Sequence, residues 1–317
     1  MKNKLKFFVG ILVCFLSFAT FSQNAKNPYG FKSEYFPFKL VRIGGGQEGG
    51  ATYPIAEKIC NLINDFRLAS DLRCVLLETS GAEFNVSGLE KELFELSLIQ
   101  TNNLPFDKIA ENAGGSSLRL LSDLGSIPLN VYAKNQIKTI KDLTGSKYNA
   151  NNTGSGSAAG SKVFLEAAHL QEKDFSAVEH LKASEINSSF CDDKFTSGIF
   201  MAAHPNPILK KVLDCNGHLI SLTDEILTNF TKLIPSAKPF VIQKSTYPEL
   251  TNEIKTVAIP LVLVTHSGVD KEAISRLMKI VNANFDKVHD TFQYLNSKPT
   301  PFNELQEINF PIHDGVH

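Results

Sequence analysis

Apolar residues in this chain fall into short runs separated by gaps rich in glycine, serine and amides, with helically spaced stretches between them. The first run, residues 38–43, has the character of a buried strand. It feeds Ile43-Gly-Gly-Gly-Gln-Glu-Gly-Gly-Ala-Thr-Tyr-Pro54, a loop holding five glycines. Proline fits the first helical turn, so Pro54 predicts a helix start, and Ile55, Ile59, Leu62 and Ile63 recur along one helical face. Residues 73–79 form the next apolar run, and strand, helix, strand in this order predicts a parallel crossover.

The second strand empties into Thr79-Ser-Gly-Ala-Glu-Phe-Asn85, a small polar loop on the same sheet edge as the first. Ligands of open α/β sheets bind at that edge, outside the carboxyl ends of the strands. Helical residues 86–91 lead to a third run, 93–102, ending in Gln100 and Asn102, whose amides donate and accept without carrying charge. Residues 118–133 read as a long strand entering a second unit. There a short helix at 140–145, a strand at 147–150, the loop Asn151-Asn-Thr-Gly-Ser-Gly-Ser-Ala-Ala-Gly160 and a helix at 162–169 repeat the opening design. The repetition predicts two lobes, each presenting a donor-rich turn to a shared cleft. Further on, 194–203 is apolar and small and ends in His204-Pro-Asn-Pro207. A helix is expected at 208–213, a short strand at 219–222, a break at 235–239, a strand around 256–264, and helix from there to Pro301. This order predicts an α/β fold with a discontinuous first lobe, residues 36–130 with 243–317, and a second lobe, 131–242.

A side-chain-poor turn at a helix N-terminus lets the backbone approach a bound group and points unpaired N–H donors at it, which favours anions. Read literally, Gly44-x-Gly46-x-x-Gly49 is also a dinucleotide fingerprint, with Glu78 as the ribose acceptor. Glu48 argues against it, because it would stand beside a pyrophosphate. No Gly-Lys-Ser/Thr follows, so the loop is not a nucleotide P-loop either.

Lys2, Lys4 and Lys6 precede an apolar run from residue 7 to 21, the layout of a secretory signal peptide spanning residues 1–22. Lys and Arg total 32 against 33 Asp and Glu, a net charge of −1 that suggests no nucleic-acid partner. Cys60, Cys74, Cys191 and Cys215 remain beyond the leader. Export permits bridges Cys60–Cys74 and Cys191–Cys215, and four buried thiols are equally consistent with the spacing. The sequence has no His-Glu-x-x-His, Gly-x-Ser-x-Gly or Cys-x-x-Cys, and Gly154-Ser-Gly-Ser157 has no base beside it in sequence. Neither an enzyme, nor a cofactor, nor a metal site is expected, and His204 and His313 read as structural.

Several motifs in order resemble one family: Ile43-Gly-Gly-Gly-x-x-Gly-Gly-x-x-Tyr-Pro54, Thr79-x-Gly-x-x-x-Asn85, Gln100-Thr-Asn102, Asp142-Leu-x-Gly145, Gly154-Ser-Gly-Ser157, His204-Pro-Asn206, Thr256-Val257 and Pro311-Ile-His-Asp-Gly315. The chain resembles the solute-binding proteins of TRAP (tripartite ATP-independent periplasmic) transporters, in the TAXI branch. The resemblance implies a two-lobed, type II periplasmic binding fold closing over a small organic anion such as glutamate, glutamine or a dicarboxylate. It implies a monomeric periplasmic receptor that delivers its ligand to TRAP permease subunits. It also implies a pocket of Gly46, Tyr53, Thr79, Asn85, Gln100, Asn102, Gly154, Ser155, Gly156, Ser157 and Pro205. The chain departs from the family pattern at Gly45, Thr52-Tyr53, Ala82, Asn102 and Thr196-Ser197. The other reading is a secreted surface antigen or interaction protein that kept the fold without transport.

Overall fold

The computed structural model describes residues 39–106, 116–292, 294–306 and 308–316; the leader expected at 1–22 lies outside them. Three parallel strands open the fold: β1 (Lys39–Gly44), β2 (Leu72–Leu77) and β3 (Leu96–Gln100). Between β1 and β2 runs α1 (Tyr53–Asp65), with Thr52 as N-cap and proline in its first turn. It buries Ile55, Ala56, Ile59, Cys60, Leu62 and Ile63, the face anticipated from spacing. Each of its fully buried isoleucines contributes about 1.5–3 kcal/mol of apolar transfer energy. A single turn, α2 (Arg67–Ser70), precedes β2, and α3 (Ala82–Glu90) precedes β3.

One long strand, β4 (Leu118–Lys134), joins the two halves of the sheet. Its first part, to Pro128, pairs antiparallel with β10 (Ile254–His266), and from Leu129 it pairs with β7 (Ser197–Met201). Proline has no N–H to give to a ladder, and Pro128 stands where β4 changes partners. The second half repeats the parallel arrangement with β5 (Lys147–Asn149), β6 (Ala177–Glu179) and β7, while β8 (Gly217–Ile220) pairs with β4 and β9 (Lys238–Ile242) with β10. Strand order is β2-β1-β3-β10-β4-β7-β5-β6.

Two helices begin earlier than the hydrophobic pattern indicates. α3 starts at Ala82 rather than 86, and α4 (Gly156–Ala167) at Gly156 rather than 162. The first residues of α4 are glycine, serine and alanine, which carry no strong apolar signal, and those of α3, Ala82-Glu83-Phe84-Asn85, put their one large apolar side chain, Phe84, on the exposed side. The α4 start is instead marked by Ser155, whose side chain accepts the Ala158 N–H at 3.1 Å. α5 (Ala183–Cys191) and α7 (Asp224–Leu233) were not anticipated, whereas α6 (Pro207–Asp214) was. The expected helix at 140–145 is a 3-10 turn, Ile140–Leu143. The C-terminal helical stretch is α8 (Lys271–Ala283) and α9 (Phe285–Thr291); it ends before Pro301 because Leu295 bridges to Gly125 of β4. Pro239 does not break the chain but lies in β9, which flanks β10.

Both cysteine pairs are bridged. Cys60–Cys74 links α1 to β2, and Cys191–Cys215 links the end of α5 to the residue after α6. The first closes a sequence separation of 14. Replacing Cys60 and Cys74 together by alanine is expected to lower stability by about 3 kcal/mol, read as a fall in the urea midpoint.

Candidate functional site

Five parallel strands deliver their carboxyl ends to one cavity. β1 leads to Gly46 and Gln47, β2 to Gly81, β3 ends on Gln100, β5 leads to Asn151 and Asn152, and β7 ends on Phe200 and Met201. Because the strands in each half are parallel, their outgoing loops share an edge, and β4 brings the two edges together. Two turns far apart in sequence therefore meet, the one after β2 and the glycine turn after β5: the Glu83 N–H donates to Gly154 O at 3.1 Å, and Asn152 Nδ2 to Ser80 O at 3.4 Å. The cavity between them is about 60 Å³, room for a few water molecules.

Three helices start at its wall. Thr52 caps α1, Gly81 caps α3 and Ser155 caps α4, and all three line the cavity. Neither Thr52 nor Gly81 gives its helix a side-chain cap; Pro54 has no N–H to offer and the Glu83 N–H goes to Gly154 O, which leaves the N–H of cavity-lining Ala82 for a ligand. Each N-terminus carries roughly half a positive charge, together enough to balance one anion. No described lining residue bears a formal charge. Side-chain donors come from Gln100 and from the second amide proton of Asn151, whose first goes to Ile199 O at 2.9 Å, whereas Thr52 Oγ1 and Asn152 Nδ2 donate to Gly45 O and Ser80 O. Ser157 Oγ accepts the Met201 N–H at 3.1 Å, so its own proton is free to donate.

Beneath the first turn a buried network holds the backbone in place. Gly46 N–H donates to Thr79 Oγ1 at 3.0 Å, and the Thr79 hydroxyl donates to Asn85 Oδ1 at 2.6 Å. Ser97 Oγ donates to Gly44 O at 2.7 Å, and Thr52 Oγ1 to Gly45 O at 2.8 Å. At Gly45, where the resembled family carries a hydroxyl residue, a side chain would require Leu76 to shift. A β-carbon there would stand 2.8 Å from Leu76 and 3.2 Å from the Tyr53 ring.

Of the residues carried over from the resemblance, Gly46, Asn85, Gln100, Ser155, Gly156 and Ser157 line the cavity. Tyr53, Thr79, Asn102, Gly154 and Pro205 do not. Thr79 is spent on Gly46 and Asn85, and Tyr53 packs on Gly45. Asn102 accepts from Asn103, Gly154 uses its carbonyl for the Glu83 contact, and Pro205 is exposed. Gln47, Thr52, Gly81, Asn151, Asn152, Ala183, Phe200 and Met201 were missed as lining residues. Asn151 and Asn152 adjoin the glycine turn in sequence and could have been found; Ala183 opens a helix with no clear pattern and could not.

A neighbouring groove, which shares Gln47 with the cavity, is lined by Glu48, Glu78, Phe84 and Lys182. Burial first, then Glu48, Glu57 and Glu78, raise the Tyr53 phenol above its ordinary pKa.

Among solved structures, the chain is similar to PhnD1 from Prochlorococcus marinus (MIT 9301) in complex with methylphosphonate. Identity is 10%, TM-score 0.53, and the match covers 86% of this chain and 97% of that one. It is also similar to a binding protein component of an ABC phosphonate transporter from Pseudomonas aeruginosa, with 8% identity, TM-score 0.52, and 86% and 85% of the two chains covered. The likeness is one of fold: an α/β, periplasmic-binding-protein-like chain with a cleft between two lobes. The NMT1-like family matches residues 43–316, from the last apolar residue of β1 through every cavity-lining segment, and the chain belongs to that family.

Proposed function

We propose that this chain is an exported solute receptor, not an enzyme, that holds a small carboxylate in the cavity and hands it to a membrane permease. The observation that carries this reading is the convergence of three helix N-termini on one uncharged, donor-lined cavity, an arrangement that favours an anion without a counter-charge. The two bridged cysteine pairs support an oxidising compartment, in line with the leader and a periplasmic location. The change of strand partner at Pro128 and Leu129 supports a hinge near the boundary between lobes 36–130 with 243–317 and 131–242.

The cavity's volume favours a compact carboxylate over glutamate, glutamine or a dicarboxylate, since ligand pockets of ordinary size span about 300–1,000 Å³. Glu48 and Glu78 in the neighbouring groove, opposed by one lysine, also disfavour a second negative charge. On the resemblance, the permease is of the TRAP type and the receptor works as a monomer. A second reading is an ABC-type receptor for a tetrahedral head group, favoured by the fold shared with a protein complexed with methylphosphonate.

Calorimetric titration of the purified protein with acetate, methylphosphonate and methanesulfonate tests both. Heat with acetate that exceeds the other two is expected, with none from methylammonium. Preference for methylphosphonate would select the second reading. Silence with all three anions would favour a surface or interaction protein that kept the fold without transport.

A further inference from the structure

Gln100 ends β3 and is buried, 4% exposed. Its side chain crosses the cavity floor to the opposite glycine turn. A β-carbon placed on Gly156 would stand 2.3 Å from Gln100 Oε1, well inside van der Waals contact. Both residues line the cavity. The amide end of Gln100 thus occupies the space that a side chain at position 156 would take. The Glu83 N–H bond to Gly154 O crosses the same gap, and Gly154 lies next but one to Gly156 in the second turn.

We propose that Gln100, seated against Gly156, is the gauge of the site: it fills the floor between the two turns and so restricts the ligand to short-chain oxyanions. This inference rests on the receptor reading above. Shortening residue 100 adds space at the floor while leaving the helix N-termini where they are. An anionic head would keep its donors, and only the preference for ligand length would move. A methyl group at 156 acts in the opposite sense, because it meets the end of a buried amide. Alanine suits a first helical turn better than glycine, so that variant keeps α4.

Two measurements separate the gauge from the receptor reading. Titration of wild type and Gln100→Ala with acetate, butyrate and hexanoate reads ligand length. Hydrogen exchange at the Glu83 amide, with no ligand added, reads the gap itself. Wild type is expected to prefer acetate to hexanoate, and Gln100→Ala to reduce that preference by about tenfold, the discrimination that a misfitting methylene commands in a confined pocket. Gly156→Ala is expected to speed Glu83 exchange by about tenfold through local opening, and the Gly156→Ala/Gln100→Ala pair to restore it. An unchanged ratio of acetate to hexanoate affinity in Gln100→Ala, or Glu83 exchange that ignores Gly156→Ala, overturns the gauge. Absence of anion binding in wild type with the exchange pattern intact would sink the receptor reading and the ligand limit, leaving the steric contact established.

Discussion

Asn85→Asp is expected to reduce anion affinity by about a hundredfold or more, close to 3 kcal/mol. Asn85 is 1% exposed, lines the cavity and accepts the Thr79 hydroxyl at 2.6 Å. Its Nδ2 faces Gly44 O at 3.4 Å. Aspartate keeps the shape and the Thr79 bond but adds a carboxylate to a wall that has no charged side chain to neutralise it. Like charges brought together at a binding surface cost several kcal/mol. The new carboxylate would also take up the potential of the three helix N-termini that the ligand otherwise uses. Asn85→Ala is the comparison. It removes the hydrogen bonds, destabilises the fold by about 1–3 kcal/mol and loosens the first turn, without repelling an anion. Acetate titration of the two variants near pH 7.5 decides the matter: equal affinities would show that helix-terminus electrostatics do not govern the site.

Lowering the pH from about 6.5 to 4 is expected to remove about 3 kcal/mol of stability through His204 alone. The imidazole is 9% exposed, and its Nδ1 is 3.0 Å from the Tyr247 hydroxyl. That hydroxyl oxygen accepts the Asn206 N–H at 2.8 Å, so its proton goes to Nδ1 and the ring is neutral. Its Nε2 is buried with no partner among the described residues. Burial depresses the His204 pKa to about 4 and pushes Tyr247 up to about 12. The unfolded chain takes up the proton at its ordinary value, near 6.5, before the folded chain does. Stability from this group is therefore complete above that value and declines as the pH falls toward 4. Burial lowers His218, His266 and His313 too, with the same sign, whereas burial raises Asp123, which acts in the opposite sense. Urea midpoints of wild type and His204→Asn, followed from pH 7.5 to 4, isolate the contribution. Curves that stay parallel over that range would rule it out.

The hydrophobic pattern was a good guide where one face of an element is buried and a poor one where backbone does the work. α1 was legible because its isoleucines repeat at helical spacing, and β4 because nearly all of it is buried. The start of α4 was hidden in glycine, alanine and serine, which leave no hydrophobic period, and that of α3 in Ala82-Glu83-Phe84-Asn85, whose phenylalanine is exposed. Those starts are also the cavity wall. Placement of the inherited site residues shows the same division. Gly46, Ser155 and Gly156 reach the cavity as backbone, while Thr79 and Tyr53, picked for their side chains, are committed to holding the first turn.

Order along the chain settled the α/β class, the doubled strand–turn–helix design and the two candidate bridges, because periodicity, glycine and cysteine spacing are local properties. The bridging itself, the meeting of Gly81 and Gly154 and the tight floor between Gln100 and Gly156 were decided only in three dimensions. They depend on which strands β4 and β10 bring side by side, and on how closely backbone or an amide side chain can approach a residue that has no side chain of its own.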